Sequence, residues 1–257
     1  MHAAFAKQTS QRIEYTAIQV DLGGFEQAVG NFFANGGKGL NVTVPFKQEA
    51  WQLADELGAE AKQAGAVNTL LMNAEGQLIG RNTDGIGLVR DILSNHGGAI
   101  TDKRILLVGA GGATRGVMQP LLDEKPATLI IVNRTPDRAH NLAQTFSKQS
   151  NVSGVGFDDL GDQSFDLIIN ATAASLQGEV PPLPDTVCAE NCWCYDMMYS
   201  AEPTPFVLWG EQHNASKSVD GLGMLVEQAA ESFFLWRGVR PETTPVIQSI
   251  RDALNTN

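Results

Sequence analysis

Apolar positions recur along the chain with two periods, and the alternation between them sets out a fold. Unbroken apolar runs at Ile105–Val108, Leu129–Val132 and Leu167–Ile169 read as strands buried on both faces, which is the habit of parallel sheets. Helical spacing is clearest over Phe25 to Ala34, with apolar residues at 25, 28, 29, 32 and 33. It recurs in the last stretch, where Leu225, Val226, Ala229, Phe233 and Trp236 form a stripe after Asp220-Gly221-Leu222-Gly223-Met224. Residues 1–12 predict a helix, and the loose alternation from Arg12 to Val20 predicts a strand. Leu40 to Lys47 predicts another, ended by Pro45, with Leu40, Val42 and Val44 on one side and Asn41 and Thr43 on the other; a helix from Gln48 to Leu57 follows. Asn73 to Gly76 predicts a hairpin turn between strands at 66–72 and 77–80, and a helix covers Leu88 to Leu93. Beyond Thr135 come a helix to about Lys148, a short strand at 153–157, a strand at 165–170, another at 192–199, and a closing helix from Pro245 to Leu254. Strands alternating with helices predict an α/β protein of two units, the second a nucleotide-binding fold.

That second reading rests on Ile105 to Gly116. The strand runs into Gly109-Ala110-Gly111-Gly112-Ala113-Thr114, where glycines let the backbone turn sharply and small residues open a helix with free N–H groups at its positive dipole end. Such a loop suits a diphosphate, although Thr114 stands where the usual fingerprint carries Gly or Ala. The next strand ends at Asn133-Arg134-Thr135, 24 residues after Gly109, with Arg138 close behind. An NAD enzyme places Asp or Glu there for the ribose 2′-hydroxyl. Two guanidinium groups favour a 2′-phosphate, hence NADP(H) rather than NAD(H); the plainer alternative is a solvated pair of arginines at a helix start.

The formal charge of −11 argues against nucleic acid or an anionic membrane surface as partner. No apolar run is long enough for a membrane span, and the first seven residues lack the basic start and apolar core of a signal peptide, so the chain is expected in the cytoplasm. Cys188, Cys192 and Cys194 match no common zinc spacing, and the last two alternate as residues on one face of a strand, so no metal is expected.

Two polar residues stand out. Lys47 falls at a strand-to-helix corner, where open sheets hold ligands, though an ordinary surface lysine fits as well. Asp84 precedes a helical run in Asn82-Thr83-Asp84-Gly85, where a capping role is equally natural.

Taken together, Asn41–Lys47, Ala64–Thr69, Asn82–Gly85, Gly109–Ala113, Asn133–Thr135 and Asp220–Leu225 resemble the shikimate dehydrogenase family, in the family's order and across essentially the whole chain. The resemblance implies NADPH-dependent, reversible reduction of 3-dehydroshikimate to shikimate, in the pathway to aromatic amino acids. It implies Lys47 and Asp84 as the catalytic pair, without saying which passes the proton. Thr43, Asn68, Asp84, Tyr199 and Gln228 would bind or enclose the substrate. Gly109, Ala110, Gly111, Gly112, Ala113, Thr114, Asn133, Arg134, Thr135 and Arg138 would hold the cofactor's phosphates and adenosine, with Thr172, Met197 and Gly221 near its nicotinamide. A substrate domain with a mainly parallel sheet (1–84 plus 222–257) and a Rossmann-type NADP domain (85–221) are expected, with a homodimer as the candidate assembly. Family members open with a strand and a Ser-x-Ser loop that binds the substrate carboxylate; this chain reads as starting after it, which would weaken both the sheet and substrate binding. Ala173-Ala174-Ser175 also replaces the Ser-Ser-Gly that the family tends to carry after the threonine. The rivals are a relative that takes quinate or NAD, and a catalytically silent NADP-binding protein.

Overall fold

The computed structural model describes residues 1–146 and 151–256. Helices α1 (His2–Gln8) and α2 (Phe25–Ala34) lead to strand β1 (Gly39–Asn41), helix α3 (Lys47–Leu53), a two-residue strand β2 (Glu56–Leu57) and helix α4 (Ala59–Ala64). Strands β3 (Thr69–Met72) and β4 (Leu78–Arg81) form a hairpin, after which α5 (Asp84–Arg90) runs into a π-helical turn at Asp91–Asn95. Then come β5 (Arg104–Val108), α6 (Gly112–Asp123), β6 (Thr128–Val132), α7 (Pro136–Gln144), β7 (Val152–Val155), β8 (Phe165–Asn170), β9 (Cys188–Asp196), α8 (Pro205–Gln212), β10 (Lys217–Val219), α9 (Leu222–Arg237) and α10 (Thr244–Thr256). The expected end of the seventh helix near Lys148 lies outside the described residues.

The larger sheet has the order β10-β9-β8-β5-β6-β7, parallel throughout. Its first strand in sequence, β5, lies between β6 and β8, which makes the carboxyl ends of β5 and β8 the point where the strand order reverses. The apolar runs are filled on both faces as their pattern requires. Ile105 and Leu107 pack on one side with Leu129, Ile131, Leu167 and Ile169, while Leu106 and Val108 pack on the other with Ile130, Val132 and Ile168. Truncating a fully buried member such as Leu106 to alanine would cost about 2–5 kcal/mol.

The smaller sheet, ordered β1-β3-β4-β2, corrects the expectation of a mainly parallel substrate sheet. Only β2 and β4 run parallel; β1 with β3 and β3 with β4 are antiparallel. Local turn chemistry decides the β3–β4 pairing. Asn73 Oδ1 accepts from the N–H groups of Glu75 (3.1 Å) and Gln77 (2.8 Å), and Gly76 takes a φ of 80°, so the chain must double back.

Three further expectations change. Residues 11–21 carry no regular structure, because among the described residues no backbone hydrogen bond joins them to a strand; Ile13 and Val20 reach separate apolar clusters instead. The strand expected to reach Pro45 stops at Asn41, and the last ladder-like bond runs from Val42 N–H to Asn68 O at 2.8 Å. Val42 is therefore buried, while Val44, expected on the same side, is 78% exposed in a turn ahead of a proline that has no N–H to pair. The following helix begins at Lys47 and ends at Leu53, where Ala54 turns extended and the chain joins β4 as β2.

Helix α5 is wedged between two neighbours. A Cβ on Gly85 would come 2.6 Å from Gly116 O of α6, and one on Gly87 would come 2.8 Å from the Gln228 nitrogen of α9. Both glycines are thus needed for close approach, which draws α5, and Asp84 at its start, between the nucleotide-loop helix and the last long helix. Buried Glu231 on α9 adds a clamp, with ion pairs to Arg90 at 2.5 Å and to Arg240 at 2.7 Å.

Candidate active site

Lys47 and Asp84 are 37 residues apart in sequence, yet Lys47 Nζ lies 2.7 Å from Asp84 Oδ2. Each is the first residue of its helix, α3 and α5, so each is aimed by a helix start rather than by a mobile loop. Their side chains are 29% and 18% exposed, open enough for a ligand to reach and enclosed enough to be held.

The other carboxylate oxygen is fixed from behind. Asn68 Nδ2 donates to Asp84 Oδ1 at 2.8 Å, while Asn68 Oδ1 accepts from Thr69 Oγ1 (2.9 Å) and from the Thr83 N–H (2.9 Å). Two donors on the oxygen leave the amide a single sensible orientation, with its NH2 toward Asp84. Thr69 Oγ1 shares a hydrogen bond of 2.7 Å with Ser232 Oγ, which also accepts from Asn41 Nδ2 at 3.0 Å. Gln228 completes this corner, with Oε1 3.5 Å from Asn68 Nδ2 and accepting from Thr83 Oγ1 at 3.3 Å. Asn68, Thr69, Thr83 and Ser232 are all buried, so each bond replaces water that the site excludes.

Thr43 sits exposed on the turn four residues ahead of Lys47. Tyr199 is 39% exposed in the segment after β9. No hydrogen bond among the described residues ties either to the lysine–aspartate pair.

The glycine loop leaves the carboxyl end of β5 at the switch point. Gly109 adopts φ 105°, and a Cβ there would come 2.9 Å from Thr172 Cγ2, so only glycine fits between the two strand ends. Gly111 caps α6 and Gly112 begins it; a Cβ on either would meet nothing within 4 Å. The space over the helix start is therefore open to a ligand, and its free N–H groups and dipole suit an anion. Thr114 turns inward: it is buried and donates to Gly109 O at 2.8 Å, bracing the loop from beneath. Asn133 does the same from the side, accepting from the Ala110 N–H at 3.2 Å and donating to Thr135 O at 2.9 Å. Arg134, Thr135 and Arg138 are exposed at the end of β6 and the start of α7, and neither arginine has an ion pair among the described residues. Two free guanidinium groups beside the loop match the donor set that a ribose 2′-phosphate requires. The groups present thus fit NADP(H).

A second carboxylate organises the other wall. Buried Asp196 accepts from Asn170 Nδ2 (3.1 Å), the Met198 N–H (3.1 Å), Ser175 Oγ (2.5 Å) and Thr204 Oγ1 (2.6 Å). Burial raises its pKa above the usual carboxylate value, against the pull of those donors. Asn170 Oδ1 in turn accepts from Thr172 Oγ1 at 2.7 Å, so the loop after β8 and the segment after β9 are joined through one carboxylate. Gly221 packs so closely on this wall that a Cβ would come 2.4 Å from Met197 O.

The two halves of the site adjoin through α6. A Cβ on Gly116 of α6 would stand 4.0 Å from the Cβ of Asp84. Lys47, Asp84, Asn68 and Gln228 are brought together directly, and the glycine-loop helix lies against them. Sequence reasoning left out Thr83, Thr69, Ser232, Asn41 and Asp196. A usable signal existed for four of them: Asn41, Thr69 and Thr83 sit within Asn41–Lys47, Ala64–Thr69 and Asn82–Gly85, and Ser232 lies one helical turn beyond Gln228 on the same face of α9.

Comparison with known proteins bears on the fold and the family. The family model for the shikimate dehydrogenase substrate binding domain matches residues 1–70, that for shikimate / quinate 5-dehydrogenase matches 91–177, and that for the shikimate 5'-dehydrogenase C-terminal domain matches 221–251. A shikimate dehydrogenase (NADP(+)) of Alkalilimnicola ehrlichii is 57% identical over 98% of this chain and 92% of its own length. Among solved structures, an enzyme from Pseudomonas putida superposes with a TM-score of 0.92 at 43% identity, covering 96% of this chain and 91% of its own. The shikimate 5-dehydrogenase of Thermus thermophilus, crystallised with NADP(H) and shikimate, gives 0.86 at 30% identity over 98% and 93%.

Proposed function

The chain belongs to the shikimate dehydrogenase family, and on that premise we propose how its own residues carry out the NADP-dependent reduction of 3-dehydroshikimate to shikimate. The reading that the geometry favours assigns the proton to the Lys47–Asp84 pair. Bound NADPH supplies the hydride, and the carbonyl oxygen gains negative charge as its carbon is reduced. One N–H of Lys47 is engaged by Asp84 Oδ2 at 2.7 Å, which leaves two others to meet that oxygen and neutralise it. Asp84 orients the ammonium, and Asn68 orients Asp84. In the reverse direction the same pair takes the hydroxyl proton.

Thr43, Asn68, Gln228 and Tyr199 take the substrate ring in this reading, supported by the amide and hydroxyl groups that converge beside Asp84. Gly109 to Thr114 receive the diphosphate, with Thr114 and Asn133 bracing the loop, and Arg134, Thr135 and Arg138 take the adenosine ribose and its phosphate. Thr172, Met197 and Gly221 flank the nicotinamide. We assign residues 1–84 and 222–257 to the substrate domain and 85–221 to the NADP domain. Within the described residues no helix is long and apolar enough to cross a membrane. A cytoplasmic location and a homodimer complete the proposal; light scattering of the purified protein checks the second.

The short Lys47–Asp84 bond carries this reading. It is tested by mixing the purified protein with shikimate and NADP+ and following NADPH formation, with quinate and NAD+ in parallel. Turnover with shikimate and NADP+ that vanishes in Lys47→Ala is expected. Full turnover in that variant would sink the assignment of roles, and cofactor binding without turnover in the unaltered chain would favour a silent NADP-binding protein.

A further inference from the structure

The three cysteines set aside in the sequence come together in the fold. Phe165 of β8 lies opposite Cys188, but Leu167 lies opposite Trp193, so five steps along β9 answer two along β8. The surplus is taken up in a bulge at Asn191, whose φ of 61° is left-handed, and it carries Cys188 back toward Cys192 and Cys194. The three sulfurs lie within 4.8 Å of one another. Spacing along the chain missed this because a C-x3-C-x-C run in a regular strand would keep Cys188 well away from the other two.

Cys192 and Cys194 are buried at 0% and 1% exposure, and Cys188 is half-buried; all three are free thiols. They sit on the sheet face that packs beneath α8, against Phe206 and Trp209. The nearby imidazole of His213 is already engaged at both nitrogens, at 2.8 Å to Trp209 O and 3.1 Å to Asp185 Oδ1. The donor set is therefore three sulfurs, with an opening on the Cys188 side. Nothing in the reaction uses these groups.

The distances suit an ion. With metal–sulfur bonds of about 2.3 Å, tetrahedral ligands stand about 3.8 Å apart and trigonal ones about 4.0 Å apart. Sulfurs already within 4.8 Å need to close by no more than about 1 Å, a movement within the reach of side-chain rotation. Soft thiolates select d10 ions over the hard cations that oxygen ligands prefer.

We propose that Cys188, Cys192 and Cys194 form a binding site for one thiophilic d10 ion of the Zn(II), Cd(II) or Cu(I) class, with a solvent molecule in the open position beside Cys188. Binding exchanges thiol protons for the metal, so up to three protons leave per ion. The ion ties the bulge to the body of β9 and so stiffens the strand that continues into Asp196 and Met197.

Cd(II) is the probe, because a cadmium–thiolate bond absorbs in the ultraviolet where neither partner does alone. The full chain, reduced with a phosphine and freed of metal, is titrated with Cd(II) while absorbance and native mass are followed. One equivalent with a saturating charge-transfer band is expected, together with a rise in melting temperature. Cys188→Ser, a change at a half-buried position, should weaken Cd(II) at least tenfold and leave shikimate turnover unchanged. Cys192→Val, which keeps the apolar packing, should abolish the band. The site is overturned if the unaltered protein shows no stoichiometric band, if Cd(II) binds without the band, or if Cys188→Ser binds as tightly as the parent.

Discussion

A double-mutant cycle on Lys47 and Asp84 tests whether the pair acts as one unit. Asp84→Asn keeps the side chain's shape and still offers an oxygen to Asn68 Nδ2, but it turns an NH2 toward the Lys47 ammonium where a carboxylate oxygen now lies at 2.7 Å. Lys47→Met keeps the stem and removes the proton donor. Neither change should harm the fold much. The pair is partly exposed, at 29% and 18%, so its contribution to stability is about 1 kcal/mol or less, and the melting temperature should fall by no more than roughly 2–4 °C. The effect on rate is another matter: a positioned proton donor contributes about 10²–10⁴-fold, or roughly 3–5 kcal/mol in the barrier. Each single variant should lose that much in kcat/KM for shikimate, with NADP+ binding unchanged. Because Asp84 acts through Lys47, the double variant should be no more than about tenfold worse than the poorer single. The assay is initial-rate NADPH formation over a range of shikimate concentrations, with cofactor affinity measured separately by fluorescence. Losses that multiply in the double variant would mean two independent roles, and a single variant within about threefold of the parent would refute the pair altogether.

Other parts of the site give sharper or simpler readouts. Arg134→Ala and Arg138→Ala each remove a charged donor worth about 1.5–3 kcal/mol, so NADP+ should bind roughly 10–100-fold more weakly while NAD+ is unaffected; equal losses for both cofactors would remove the 2′-phosphate reading. Asp196→Ala strands four donors, from Asn170, Met198, Ser175 and Thr204, in a buried setting, and should cost about 3–5 kcal/mol. A melting temperature within about 2 °C of the parent would contradict that role. His2 is buried beside Asn41, and burial holds its imidazole down to about 4 from 6.5, with the Asn41 bond only partly offsetting it. The folded chain therefore binds this proton less readily than the unfolded one. Its share of stability is full above pH 6.5 and is lost as pH falls toward 4, about 3 kcal/mol at most. His2→Leu should flatten the denaturant midpoint across that window, and an unchanged slope would refute the attribution.

What could be read from the sequence follows the range of the interactions involved. The larger sheet was legible because its signals are local: Ile105–Val108 and Leu129–Val132 are apolar at every position, and a strand that must bury both faces has no other pattern available. Gly109 was legible for the same reason, since a backbone at φ 105° selects glycine whatever lies around it. Lys47 and Asp84 were visible singly but not as a pair, and only the resemblance to a family joined them. The bonds of the network behind them were not legible even where its members were, because they join residues as distant as Asn41 and Ser232, and a buried serine in an apolar helix face carries no mark of its partner. The alternation at Arg12–Val20 misled because period-two spacing makes a strand only where another strand offers ladder groups, and among the described residues no backbone hydrogen bond joins this segment to one. Cys188 was not legible for a different reason: the sequence places only Cys192 and Cys194 on one strand face, and one left-handed residue at Asn191 brings Cys188 to them. Both features fall where backbone pairing departs from its repeat. The places to look for chemistry in such a chain are therefore its bulges and strand ends, and the Cd(II) titration and the Lys47–Asp84 cycle each probe one of them.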